Sequence, residues 1–173
     1  SNLPLGEKIR RYEDLRDKLQ SEESRRSANR DIAVLYEQAG KVALQKGNLI
    51  GAESYFKEAV RLDPENSAYY TDLGDLYTGS VNRTFNVIQR SELLHSGAKA
   101  WANAARYELD ATRREQYGRT AVQAALLFAA GVQTEEQREQ ARELLVAVRP
   151  YAPMNGAEIQ QVDQMLDRLR GWN

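Results

Sequence analysis

The sequence predicts an all-α protein built from tandem helical hairpins, with a separate N-terminal helix and a closing C-terminal one. Three observations point there. Prolines stand only at 4, 64, 150 and 153, and the apolar residues between them recur at steps of three and four, the period of a helix face rather than a strand. Small residues bracket a larger one at i, i+4 and i+7 in three places, the arrangement that lets a neighbouring helix approach closely. Upstream of each lies a glycine inside a helical stretch. Glycine there costs about 1 kcal/mol relative to alanine, so a repeated one implies a contact that a side chain would obstruct.

Residues 1–28 form a charged N-terminal segment that opens on "SN", which reads as the remnant of a removed purification tag. Ile9, Tyr12, Leu15 and Leu19 make a narrow stripe, and residues 20–27 hold no apolar residue. One helix over 5–26 is expected, either folded back on the first hairpin or paired with a second chain as a short coiled coil. Residues 29–173 then form a repeat domain, with units at about 33–66, 67–111 and 112–155 and a cap at 156–170.

In the first unit Tyr36 and Gly40 precede Ala52, Phe56 and Ala59, and Pro64 forbids a further turn. In the second, Tyr70, Gly74 and Tyr77 open the unit and Gly97, Trp101 and Ala104 repeat the small, large, small order. The third has Gly118, then Ala141, Leu145 and Val148; the steps from Phe56 to Trp101 to Leu145 are 45 and 44 residues. "DPEN" at 63–66 returns as "APMN" at 152–155, with Leu109 at the intermediate place. Residues 78–84, "TGSVNRT", read as a loop, and residues 120–134 as an elongated helix stopped near Gly131, with Thr134 capping the next. The cap at 156–170 places Ile159, Val162, Met165, Leu166 and Leu169 on one face.

The register of Tyr36, Gly40, Ala52, Phe56, Ala59 and Pro64 resembles the tetratricopeptide repeat, a helix-turn-helix unit of about 34 residues. The likeness is strict over residues 33–77 and degenerate to about 155, because Gly74 to Gly97 and Gly118 to Ala141 span 23 residues where the first unit has 12. Eleven extra residues are about three helical turns, which preserves the packing face. The resemblance implies a right-handed superhelical solenoid, with the terminal helix covering its apolar end. It also implies a scaffold that binds a peptide or a partner helix along the first helix of each unit.

By that register the groove residues are Glu37, Lys41 and Leu44, then Asp72 and Asp75, then Glu115, Arg119 and Gln123. The acidic centre formed by Glu37, Asp72 and Asp75 suits a basic or amide-rich protein segment; the equal alternative is that these charges only solvate the wall or pair with Lys41 and Arg119. The alternative is a self-assembling or membrane-stalk-mounted domain, a homodimer through the N-terminal helix.

Composition excludes other classes. The 24 Lys and Arg against 25 Asp and Glu leave a net charge of −1, which supplies no field toward nucleic acid or an anionic membrane. Cysteine is absent, and His95 is the sole histidine, so thiolate metal sites, cysteine nucleophiles and paired-histidine motifs are not available. His95 reads as a structural residue. No catalytic group, metal or cofactor is expected, and no apolar run is long enough to insert in a bilayer. The expected location is the cytoplasm, or a membrane tether or export if the chain is a piece of a longer protein.

Overall fold

A computed structural model describes residues 3–153 and 156–171. Ser1 and Asn2, read as a tag remnant, and Met154 and Asn155 of the third terminator lie outside the described residues. The protein is all-α: helices α1 (Leu5–Asp17), α2 (Glu22–Gln45), α3 (Leu49–Leu62), α4 (Ser67–Val81), α5 (Val87–Tyr107), α6 (Ala111–Ala130), α7 (Glu135–Val148) and α8 (Ala157–Arg170), with a 3-10 turn at Arg149–Tyr151. No strand occurs among the described residues. The chain forms two compact units, Ser1–Tyr69 and Tyr70–Asn173, divided inside α4.

Polar side chains at the helix starts explain most boundaries. Ser21, Asn48, Asn86, Asp110 and Thr134 each accept a hydrogen bond from a first-turn backbone N–H, meeting donors that have no partner inside the helix. Gly47 ends α2 at φ +73°, a backbone state that costs glycine nothing. At α7 the Gln137 side chain accepts from the Gln133 N–H at 2.9 Å. The capping pair expected at Thr134 is thus completed one residue early.

In the first unit, α1 folds back along α2. Ile9 is buried, the Tyr36 hydroxyl donates to Glu13 at 3.0 Å, and Arg16 donates to Asn29 at 3.4 Å. The expected single helix over 5–26 is in fact two. The chain breaks after Asp17, Arg25 donates to the Leu19 carbonyl at 2.8 Å, and Ser21 begins a new helix; the stretch without apolar residues is the exposed first part of α2. The core joins Ile32 and Ala33 of α2, Ala59 and Leu62 of α3, and Tyr69. Ala52 and Phe56 are fully buried beside them, and a methyl placed on Gly40 would overlap the Phe56 ring. Tyr36 is half-buried and packs against this core while its hydroxyl reaches Glu13; Pro64, assigned to the core, is instead exposed in the turn after α3.

The second unit repeats the contact. A methyl on Gly74 would sit 2.6 Å from the indole of Trp101, and the Trp101 ring packs 5.4 Å from that of Tyr117. Tyr70 stacks on Tyr107 at 5.7 Å, and a methyl placed on Gly97 would sit 2.9 Å from the Thr78 methyl. Ala104, Ala141, Leu145 and Val148 are fully buried, while Gly118 meets the backbone carbonyl of Tyr151. The segment 78–84 is not all loop: α4 continues through Val81, which is buried. Thr78 and Ser80 satisfy their hydroxyls on the carbonyls of Gly74 and Leu76 at 2.7 and 2.6 Å, so these turn-forming residues ride inside the helix. The α5–α6 bend has no proline. Glu108, buried, accepts from the Asp110 N–H at 3.0 Å, and Arg114 donates to the carbonyls of Glu108 and Leu109 at 3.0 and 3.1 Å. Val162, Leu166 and Leu169 of α8 are buried, with Ile159 and Met165 half-buried.

Candidate interaction surfaces

The sequence-derived groove residues divide between the units. In the first, Glu37 and Lys41 lie one turn apart on α2 and form an ion pair at 2.5 Å, with Leu44 half-buried on the next turn. In the second, Asp72 is half-buried on α4, and partial desolvation lifts the carboxyl of Asp75 above its ordinary value. On α6, Glu115 pairs with Arg119 at 3.2 Å, and Gln123 is exposed. Pairs spaced i, i+4 on a helix form from local geometry alone and contribute about 0.3–0.5 kcal/mol when exposed.

Several contacts have no counterpart in those local spacings. Arg119 also reaches Glu158 of α8 at 3.3 Å, 39 residues away. Arg149 grips Asp163 through two hydrogen bonds at 2.7 and 3.0 Å. That fork holds the Asp163 carboxyl below the usual range, and the same bonds raise Arg149.

Open clefts lie within single units among the described residues. In the first unit a cleft of about 360 Å³ between α1, α2 and α3 is lined by Ile9, Tyr36, Val42, Ala43 and Tyr55. Burial and the bond to Glu13 push the Tyr36 phenol up to about 12. In the second unit a cleft of about 590 Å³ is bounded by Glu115, Arg119 and Tyr151. Another, of about 630 Å³, lies where α5, α6 and α7 meet. It holds His95, half-buried with its ring 5.2 Å from that of Phe128. Burial lowers the pKa of His95, Lys99 acts in the same direction and Glu143 opposes it.

No group of three or more metal-ligating side chains occurs among the described residues. Among them, no helix is long and apolar enough to cross a membrane. What the surfaces offer is charge-paired helix faces and open clefts with mixed polar and apolar walls. No protein-family model matches the chain, and no curated protein matches it.

Proposed function

We propose that the chain is a non-catalytic scaffold that binds a protein segment, built on tetratricopeptide-like hairpins. In this reading the hairpins stack as a right-handed superhelix, and the first helix of each unit supplies the binding wall. The reading is supported by one observation: Phe56 over Gly40 and Trp101 over Gly74 are the same ring-on-glycine contact in the first two repeats, while Gly118 of the third meets the Tyr151 carbonyl instead. Repetition of a packing contact is what a stacked-repeat architecture requires. The acids this reading assigns to a basic partner segment are Asp72 and Asp75, one turn apart on α4.

The test is a partner obtained by affinity capture from the native host and then measured against the D72K/D75K chain. Reversal of two charges should weaken a basic segment by about tenfold or more, with a loss that shrinks as salt is raised. Unchanged affinity in a variant with native circular dichroism removes the acidic wall from the binding site.

A further inference from the structure

A separate cleft of about 630 Å³ lies wholly in the second unit, where α5, α6 and α7 meet. His95 and Phe128 both line it, their rings tilted against each other with centroids 5.2 Å apart. Glu92 of α5 and Glu136 of α7 line it, and neither lysine nor arginine is among its lining residues. Glu136 accepts from Gln140 at 3.4 Å, a weak bond that does little to offset its charge. Burial keeps His95 below its ordinary pKa, so the imidazole adds no positive charge near neutral pH. Beyond the lining, Lys99 and Glu143 act on His95 with opposite sign.

The surface beside the cleft is apolar. Ile88 lines it while 68% exposed, and next to it Val87 is 67% exposed and Phe85 fully so. An acid-bearing cleft with a ring inside and bare apolar residues alongside has a definite complement: a planar cation flanked by apolar side chains. Guanidinium fits better than ammonium, because it stacks flat on a ring while its N–H groups pair with carboxylates. We propose that this cleft takes an arginine side chain of a partner protein, whose neighbouring apolar residues cover Phe85, Val87 and Ile88. The inference rests on the reading of the chain as protein-binding, but uses a surface distinct from the α4 acids.

His95 is the sole histidine, so its ring protons are an unambiguous NMR reporter. The full chain would be titrated with acetyl-Leu-Arg-Leu-amide and with the norleucine analogue in place of arginine. A saturable His95 shift with the arginine peptide, absent with norleucine and weakened at least about tenfold in E92Q/E136Q, supports the site; E139Q, outside the cleft, should bind as the unaltered chain does. No saturable shift overturns it. Equal shifts from both peptides overturn it in favour of a merely apolar groove, and a shift that depends on protein concentration without peptide overturns it in favour of a second copy. Because E92Q/E136Q and D72K/D75K alter different surfaces, loss of binding in only one of them shows which of the two readings has failed.

Discussion

Gly40 in the first unit and Gly118 in the second occupy the same kind of place, inside a helix at a point of close approach, yet different groups approach them. At Gly40 it is the edge of the Phe56 ring; at Gly118 it is the peptide carbonyl of Tyr151. Gly74 sides with Gly40, since the Trp101 indole presses on it. An interior glycine therefore marks where something passes within a methyl's width, while the neighbour decides what passes. A ring can rotate or tilt by a few tenths of an ångström. A carbonyl moves only if its backbone moves.

The largest expected effect sharpens the ring half of the comparison. Phe56 is fully buried, so Phe56→Ala should destabilise the first unit by about 3–5 kcal/mol through lost burial and a residual cavity, measured by urea unfolding. A cost under about 1 kcal/mol would mean that the ring merely fills space. Next come the glycines themselves. Both Gly40→Ala and Gly118→Ala gain about 1 kcal/mol of helix propensity. Overpacking against the immobile carbonyl should nevertheless leave Gly118→Ala net destabilised by about 1–3 kcal/mol, with Gly40→Ala costing less. The reverse order would show the ring to be the more rigid partner.

The smallest effect concerns His95. Its folded pKa lies below the ordinary 6.5, so the fold favours the neutral ring. That contribution to stability is complete above pH 6.5 and falls away as pH drops toward the lowered folded value. In NMR titrations the native ring should protonate at lower pH than the urea-unfolded ring; coincident curves would place His95 in open solvent.

What was legible in the sequence follows from the range of each interaction. Ala52, Phe56 and Ala59 share a helix face by spacing alone, so their burial could be read directly, as could a close approach at Gly40 and Gly74, though not which ring makes it. The N-caps at Thr134 and the stop at Gly131 were equally local. The carbonyl above Gly118 could not be read, because no side-chain pattern encodes where a backbone oxygen will pass. Thr78 and Ser80 misled in the opposite sense. Their turn chemistry was real, but the hydroxyls spent it on their own helix. For the candidate sites, Glu37–Lys41 and Glu115–Arg119 follow from i, i+4 spacing, whereas Arg119–Glu158 and the His95 cleft depend on how distant helices meet.

The two kinds of bend have unequal histories. Before folding, Pro64 already restricts the backbone after α3, so part of that corner exists in the disordered chain. The corner between α5 and α6 has no such head start: Arg114 must reach back to the carbonyls of Glu108 and Leu109, which requires the first turn of α6 to have wound. One corner is inherited from covalent chemistry, and the other must be assembled afresh each time the molecule folds.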